Sequence, residues 1–409
     1  AVHQNGYDGV HNGVAYLPRS IASEPDRDLL ILFKTTDYAD RPAGATIFWT
    51  TDLPQLGASA QFLPPHMAEG LDLVVCISEY HRTELLKACP WLDPAKVRAH
   101  WLGVDRNEIT GAVLVHEKVA GRVLYASSYD RGLGFLLEQW PRIREAVPRA
   151  VLHVTYGFDF WKRSEAVVPV QVAESMKQER VRLEKLLTQP GVQHLGRLPR
   201  QEFLKELAET QVWAYPCTGG ELCCKTALEV LAAECESVVI PTMALAETVQ
   251  VGVHSTSALF VEDLIARLRI TSGPSGYRSP NDIHLPDWDD LATWVWATSG
   301  AEAACRQPAK AEPIAAMPLP SAQTDVVPEQ FTVPVRAAAS SIGLDLLFMV
   351  NGMPFDGNTD REKSLGGSET VSIQLCRELQ RRGHRMTVFS NLPGQPGKFD
   401  GVSYLPIQE

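Results

Sequence analysis

The sequence lacks three features that would assign it to a specialised class of protein. No apolar run reaches the roughly 18 residues that a membrane-spanning helix requires. No two cysteines form a C-x-x-C pair, the spacing typical of metal and redox sites. Basic residues are in deficit, since the net charge of the 409 residues is −11, whereas a nucleic-acid-binding protein usually carries a basic surplus. We therefore expect no bound metal and no nucleic-acid partner.

The composition is that of a globular protein with a sizeable core, with 45% hydrophobic and 21% charged residues. At roughly 100–200 residues per domain, the length indicates two or three domains. Several cysteines lie within apolar stretches, so we expect reduced, buried thiols in a cytoplasmic protein rather than a disulfide framework. The eight are Cys76, Cys89, Cys217, Cys223, Cys224, Cys235, Cys305 and Cys376.

Short β-branched runs alternate with amphipathic helical patterns along most of the chain. The predicted strands include 28–34, 45–50, 71–78, 96–105, 121–128, 150–157, 211–217 and 344–350. The predicted helices include 79–89, 132–146, 172–187, 226–236 and 287–300. This alternation predicts parallel sheets with right-handed crossovers.

Two stretches are predicted to be connections. Residues 106–121 are charged and show no clear period, which suggests a hinge between domains. Residues 301–340 contain six prolines scattered among alanine, glutamine and serine. Proline at that density prevents a regular helix or a central strand, so this segment is predicted to be an extended linker.

The end of the chain resembles its beginning. FDGVSYLP at 399–406 is similar to YDGVHNGVAYLP at 7–18. Either chance or a duplication can produce so short a match, and the sequence leaves both explanations open.

Two glutamates eight residues apart stand out in YPCTGGELCCKTALEVLAAE, which fills 215–234. Glu229 lies among apolar residues of a predicted helix, where a carboxylate is costly unless a partner satisfies it. Eight helical residues rise ~12 Å, about the span from the ribose to the sugar of a nucleotide sugar. The helix N-terminus between Glu221 and Glu229 suits a diphosphate, and an anion there would relieve the unfavourable first-turn position of Lys225. The alternative is a capped surface helix with a solvated lysine.

Two other turns between strand and helix are candidates for ligand binding. Arg131 and Gly132 stand at the tip of SSYDRGLG, where the arginine can reach a phosphate bidentately or simply pair with the preceding aspartate. Gly366 and Gly367 allow the backbone to approach a ligand closely. The alternative there is a plain tight turn before a helix.

Together these stretches resemble the retaining nucleotide-sugar glycosyltransferases of the GT-B fold, specifically carbohydrate-active family four. WAYPCTGGELCCKTALEVLAAE matches the family's E-x(7)-E region, and VLYASSYDRGLGFLLEQW resembles the start of its donor domain. LGGSETVSIQLCRELQRRGHRMTVFS resembles the family's N-terminal start, and LDLVVCISEYHRTELL a later part of the same acceptor domain. Because the family's first segment stands last here, we expect a circular permutant. The alternative is a piece of a larger tandem protein.

The resemblance implies an α/β fold with two Rossmann-like parallel-sheet domains facing a cleft. The acceptor domain is divided between 1–110, its second half, and 341–409, its first half. The donor-binding domain fills 111–285, a crossover helix 286–300 and the linker 301–340.

The resemblance also implies a role for each candidate residue. Glu229 would bind the nucleotide ribose, and Glu221 would bind hydroxyls of the donor sugar. Arg131 and Lys225 would balance the charge of the leaving diphosphate. Further donor-binding positions are Gly219, Gly220, Leu222, Cys223, Gly366 and Gly367.

The implied activity is metal-independent transfer of a sugar, with retention, from a nucleotide-diphosphate sugar to a glycan, lipid or protein acceptor, without a further cofactor. The alternatives are a non-catalytic GT-B module that binds a glycan or a protein, and a nucleotide-sugar epimerase. The basic residues Arg377, Arg381 and Arg382 are expected to face away from the apolar stripe of their helix and to be solvated. The alternative is contact of this face with the inner face of an anionic membrane that carries a lipid acceptor.

Three positions depart from the family pattern. Thr51 stands where the family often has histidine, and Ala126 or Ser127 stands where it usually has a phosphate-side arginine. Glu234 replaces the glycine that normally follows the E-x(7)-E helix.

Overall fold

The computed structural model describes two large parallel α/β sheets and one small sheet. The described residues are 2–3, 9–11, 14–18, 29–34, 44–54, 59–166, 168–270, 285–299, 345–350, 354–362, 365, 367–394 and 396–406. The predicted linker at 301–340 lies outside them, as does Cys305. The small sheet has the strand order β1-β3-β2, with bounds Val2–His3 (β1), Gly9–His11 (β2) and Val14–Pro18 (β3).

The eight-stranded sheet is assembled from both ends of the chain. Its strands are Leu29–Phe33 (β4), Ala45–Trp49 (β5), Leu73–Cys76 (β6), Val97–Ala99 (β7), Asp345–Val350 (β14), Arg385–Ser390 (β15), Gly397–Phe399 (β16) and Val402–Pro406 (β17). The order is β16-β17-β15-β14-β4-β5-β6-β7, and all neighbours are parallel except the β16/β17 hairpin.

The junction between the two chain ends lies in the middle of this sheet. β14 pairs with β4 from Leu346↔Leu29 to Val350↔Phe33. Counted from β14, the strands run outwards to both sides of this junction, as in a doubly wound sheet. The C-terminal strands therefore supply the half that would come first in an uninterrupted domain. Circular permutation as the origin of this order stays a prediction.

The six-stranded sheet has the strand order β10-β9-β8-β11-β12-β13, and every pair in it is parallel. Its strands are Arg122–Tyr125 (β8), Val151–Thr155 (β9), Val192–Gly196 (β10), Val212–Tyr215 (β11), Glu236–Val239 (β12) and Val253–His254 (β13). This is the Rossmann order, and its direction reverses between β8 and β11. Ligands of such sheets bind at the carboxyl ends of the strands at this reversal.

Helices cover the faces of both sheets. They are Ser59–Phe62 (α1), Pro65–Ala68 (α2), Glu79–Ala88 (α3), Arg106–Val115 (α4), Leu133–Ala146 (α5), Asp159–Glu165 (α6), Val170–Leu186 (α7), Arg200–Glu209 (α8), Lys225–Ala232 (α9), Leu245–Thr248 (α10), Phe260–Arg269 (α11), Trp288–Thr298 (α12), Thr359–Glu362 (α13) and Gly367–Arg381 (α14). The predicted helices α3, α5, α7 and α12 are confirmed.

Most of the stretch 106–121, for which the sequence showed no clear period, is helix α4. It connects β7 of the eight-stranded sheet to β8 of the six-stranded sheet, and its role as a hinge stays a prediction. Asp105 caps the helix by accepting a hydrogen bond from the backbone N–H of Glu108 at 2.9 Å, and Ile109 is buried. The helix has too short an apolar face for a clear period, but its cap and first turn are favourable. This helix carries Glu108 to the edge of the cleft described below.

The two large domains contact each other through polar groups. The Glu247 carboxylate on α10 accepts hydrogen bonds from the backbone N–H groups of Glu79 (3.1 Å) and Tyr80 (2.5 Å), at the N-terminus of α3. A carboxylate at this helix end is favoured by the helix dipole. The crossover helix α12 packs against α14, and Arg382, which follows α14, pairs with Asp289 on α12.

The described cysteines are buried, as the sequence predicted. Burial raises the pKa of the Cys76 thiol to about 12 and that of the Cys223 thiol to about 12. Such thiols stay protonated and poorly nucleophilic at neutral pH. Among the described residues, no helix combines the length and apolarity needed to span a bilayer.

Candidate active site

A cleft of about 610 Å³ lies between the two large sheets. Thr51, Asp52 and Arg377 line it from the eight-stranded sheet, and Arg131 and Glu221 from the six-stranded sheet. Arg131 follows β8 and Glu221 follows β11, the two strands at which the strand order reverses. The cleft therefore stands where this topology favours a ligand.

The turn that carries Arg131 is held by its own strand. The buried Tyr125 hydroxyl donates to the backbone carbonyls of Ser128 (2.7 Å) and Arg131 (3.0 Å). Gly132 follows with φ +91°, and a Cβ there would lie 2.3 Å from the carbonyl oxygen of Pro216. Only glycine fits both the left-handed backbone and this close approach.

Glu221 is held on one carboxylate oxygen by two donors. Nη1 of Arg131 lies 2.6 Å from Oε1 of Glu221, and the Tyr215 hydroxyl donates to the same oxygen. The same Nη1 also donates to the carbonyl of Gly220 at 2.7 Å. Burial on its own would lower the pKa of Arg131, but the adjacent Glu221 outweighs burial and raises it. Arg131 therefore stays charged under all working conditions.

Glu229 is held in the same manner by two cations. Its carboxylate is only 3% exposed, and Oε1 accepts from Nη1 of Arg200 (2.6 Å) and Nζ of Lys225 (2.5 Å). Nε of Arg200 in turn lies 2.9 Å from Oε2 of Glu108. Glu229 and Glu108 with Arg200 and Lys225 thus form a network without net charge at the rim of the cleft. The sequence predicted that Glu229 needs a partner, and these two cations are its partners.

The electrostatics of this network favour the ionised carboxylate. Burial alone would raise the pKa of Glu229, but Lys225 and Arg200 outweigh it and lower the pKa to about 2. Burial lowers the pKa of Lys225, and the neighbouring Arg200 acts in the same direction against the pull of Glu229. For Arg200, burial is outweighed by Glu229 and Glu108, which raise its pKa.

The helical interval assumed between the two glutamates is wrong. The helix begins at Lys225, so Glu221 precedes it and no single rise of eight residues separates the two carboxylates. The helix also ends at Ala232, before the predicted end at 236. Its N-terminus does lie between the two glutamates, and no side chain caps it. That end of α9 opens towards the cleft through Cys224 and Thr226, which line it.

The other predicted donor-binding positions fall into three groups. Gly220, Leu222 and Cys223 line the cleft, and Gly219 directly precedes them. Gly367 is the first residue of α14. Gly366 lies outside the described residues.

Two contributors were missed by the sequence reasoning. Arg200 starts α8 directly after Pro199, and Glu108 lies in the first turn of α4. Proline before a helical pattern signals a helix start, which would have found α8. Nothing in the spacing connects either residue to Glu229, because the network joins three helices that meet only in the folded chain.

The expected solvent-facing set of three arginines on α14 is wrong. Arg377 is 6% exposed and pairs with Asp360 at 2.6 Å and with Asp400 at 2.7 Å. Arg382 pairs with Asp289, and Arg381 is the most exposed of the three. Contact with a membrane through all three arginines is therefore excluded in this conformation.

The structure also locates the positions that depart from the family pattern. Thr51, Ala126 and Ser127 all line the cleft. Glu234 has φ +53° and closes the end of α9 in the left-handed conformation. Glycine adopts that conformation without strain, whereas other residues pay roughly 1–2 kcal/mol.

Two parallel α/β sheets that face a common cleft are the architecture of the GT-B fold, and the chain has that fold. No protein-family model and no curated protein matches the sequence. Among solved structures, the chain is similar to Anabaena Alr3699/HepE in complex with UDP and glucose, at 15% identity and a TM-score of 0.42, covering 59% of this chain and 67% of that one.

The chain is also similar to two trehalose-phosphate synthases. For the α,α-trehalose 6-phosphate synthase of Burkholderia multivorans the identity is 15% and the TM-score 0.48, covering 73% of this chain and 75% of that one. For the UDP-forming α,α-trehalose-phosphate synthase of Burkholderia xenovorans the identity is 15% and the TM-score 0.48, covering 70% and 75%. The fold assignment stands on this chain's own strand pairing.

Proposed function

We propose that the protein is a retaining glycosyltransferase that uses a nucleotide-diphosphate sugar and a carbohydrate-type acceptor. The observation that carries the proposal is the matched pair of carboxylates. Both described bonds of Glu221 end on Oε1, and so do both bonds of Glu229. A carboxylate held at one oxygen would present the other to a ligand hydroxyl, and both glutamates line the cleft.

The phosphates would lie between these two carboxylates. Nη1 of Arg131 holds Glu221, and its fork offers further N–H groups to a phosphate. The ammonium of Lys225 has three hydrogens, so it can bond Glu229 and a phosphate oxygen together. The N-terminus of α9 adds backbone N–H groups and a favourable dipole. These cations and dipoles would stabilise the leaving diphosphate, with no metal required.

In the proposed reaction, the bond between the sugar's anomeric carbon and the diphosphate breaks while the acceptor oxygen attacks the same face. The acceptor's proton passes to the leaving phosphate oxygen. Charge and atoms balance without an enzymic nucleophile, and the configuration of the sugar is retained. The residues of the chain bind, orient and neutralise charge.

The activity is tested by incubating the protein with a panel of nucleotide-diphosphate sugars, with and without carbohydrate acceptors, and measuring release of nucleoside diphosphate. We expect release to depend on one donor and to increase with an acceptor. Binding without release would favour a non-catalytic module, and conversion of the donor without release would favour an epimerase. Either result would overturn the transferase.

Tyr215 gives a further prediction about this site. Its hydroxyl is buried, bonds Oε1 of Glu221 and lies 3.0 Å from Oγ of Ser127, and its ring stacks on Trp213 at 5.0 Å. Tyr215→Phe keeps the ring and removes only the hydroxyl. We expect turnover to fall by about tenfold, because one of the two donors that orient Glu221 is lost, while the melting temperature changes little.

The matched control for this variant is Tyr129→Phe. The Tyr129 hydroxyl is also buried and bonded, to Nε2 of His194 at 2.8 Å and to the backbone N–H of Gly157 at 2.8 Å, but it touches neither glutamate. Equal losses of turnover in both variants would show that Tyr215 acts only through stability.

A further inference from the structure

The chain contains two hairpins whose second strands have nearly the same sequence. GVAYLP at 13–18 and GVSYLP at 401–406 differ only by alanine in place of serine. Asn12 precedes the first of these segments and Asp400 precedes the second. Each therefore begins with Asn-Gly or Asp-Gly, and both dipeptides are strong signals for a two-residue hairpin turn. The likeness therefore extends from the strand to the turn that precedes it.

The two hairpins also have the same backbone register. β2 and β3 pair as Gly9↔Tyr16, Val10↔Ala15 and His11↔Val14, and β16 and β17 pair as Gly397↔Tyr404, Lys398↔Ser403 and Phe399↔Val402. The last strand of each hairpin then pairs in parallel with an earlier strand, as Leu17↔Val2 and Pro18↔His3, and as Leu405↔Phe389 and Pro406↔Ser390. Chance does not account for the similar second strand, the equal register and the equal parallel pairing together.

The place beside β15 fits either hairpin. There, β17 pairs with β15 along four residues, and Val402, Tyr404 and Leu405 are at most 1% exposed. The N-terminal hairpin carries the same valine, tyrosine and leucine. In its own sheet it pairs with β1 over only two residues, so it gains pairing partners if it moves next to β15.

The connection to the rest of the chain allows this move. Ten residues, 19–28, join β3 to β4, and β4 lies three strands from the place of β17. Three strand spacings and the length of one strand give a diagonal of roughly 22 Å, whereas ten extended residues reach roughly 33 Å.

We propose that the edge of the eight-stranded sheet beside β15 is a docking place for which the N-terminal hairpin of the same chain competes with the C-terminal hairpin. The C-terminal hairpin holds the place in this structure, since a short loop connects it directly to β15. When it is displaced, the N-terminal hairpin takes its position in the same register.

The exchange changes the charge at the cleft. Asp400 in the turn of the C-terminal hairpin binds Arg361 and Arg377, and both arginines line the cleft. In the sequence alignment of the two hairpins, Asn12 corresponds to Asp400. Docking of that hairpin therefore removes one negative charge beside two cleft arginines and favours an anionic ligand on this side.

Disulfide trapping tests the exchange independently of any activity. Thr387 and Ser403 are partners in the present register, so cysteines at these positions trap the C-terminal hairpin. Thr387→Cys with Ala15→Cys traps the N-terminal hairpin at the same place. Both disulfides are quantified by peptide mapping, and we expect the second to form within single chains in a minor fraction.

Two matched alanine variants set the direction. Tyr404→Ala weakens the C-terminal hairpin and is expected to raise the 15–387 disulfide at least about tenfold, whereas Tyr16→Ala should abolish it. The protein with Thr387→Cys and Ala15→Cys is also oxidised for a longer time with Tyr404 and Tyr16 both unchanged. The outcome then does not depend on whether an alanine variant folds. Absence of the 15–387 disulfide in every background, or its formation only between chains, while 387–403 forms readily, would overturn the proposal.

Discussion

Replacing Glu229 by glutamine is expected to lower the free energy of unfolding by about 3–5 kcal/mol. The glutamine keeps the shape of the side chain but removes its charge. Lys225 and Arg200 then remain close together in a partly buried site, with only Glu108 to balance their two charges. A single uncompensated buried charge is far more costly than the loss of an exposed ion pair.

The measurement is urea unfolding followed by tryptophan fluorescence, compared with Glu184→Gln. Glu184 also pairs with a cation four residues away, Arg180 at 3.2 Å, but its side chain is 43% exposed. The control should change stability by less than about 0.5 kcal/mol. A loss in Glu229→Gln no greater than that of the control would show that the network contributes little.

The pH dependence of the difference in unfolding free energy between the unmodified protein and Glu229→Gln gives a second test. The pKa of Glu229 is lowered in the folded chain, from an ordinary 4.5 to about 2. Its contribution is therefore fully present above pH ~4.5 and is lost as the pH falls towards ~2. The stability gap between the unmodified protein and Glu229→Gln should narrow across that window, provided both remain folded there.

Replacing Arg131 by methionine is expected to lower turnover of the donor by ~10²–10³-fold. The variant removes the cation that would meet the leaving phosphate and one of the two donors that hold Glu221. Lysine at the same position keeps the charge but not the planar fork, so Arg131→Lys should recover only part of the activity.

Arg142→Met is the matched control for this variant. Arg142 lies on α5, the helix that Arg131 precedes, and pairs with Glu262 at the surface, with 57% of its side chain exposed. Its loss should leave turnover unchanged. If Arg131→Met turned over the donor at the unmodified rate, the proposed phosphate site would have to lie elsewhere.

Local sequence patterns predicted those strands and helices whose formation depends only on their own residues. The strands β14 and β15 and the helix α14 between them follow from one apolar stripe and two short apolar runs, and the structure confirms them. The Gly-rich turn before Glu221 was equally visible, since strand, glycines and helix follow each other directly.

Interactions between distant segments were not predictable in this way. Arg377 was predicted to be exposed because the apolar stripe describes only the faces of its own helix. In the structure, Asp360 from α13 and Asp400 from the β16/β17 turn pair with it. Arg200 likewise meets Glu229 only after α8 and α9 both pack against α4. The sequence showed that Glu229 needs a partner but did not show which residue provides it.

Hydrogen–deuterium exchange with and without a nucleotide-diphosphate sugar tests the central claim most directly, because it locates the ligand. We expect slower exchange in the peptides that cover 126–133 and 217–229. Exchange should not slow in β12 or in β16, two strands of different sheets that both lie outside the cleft. The protection should disappear in Arg131→Met. Binding that protects a different surface and leaves both peptides unchanged would contradict a donor site between the two sheets.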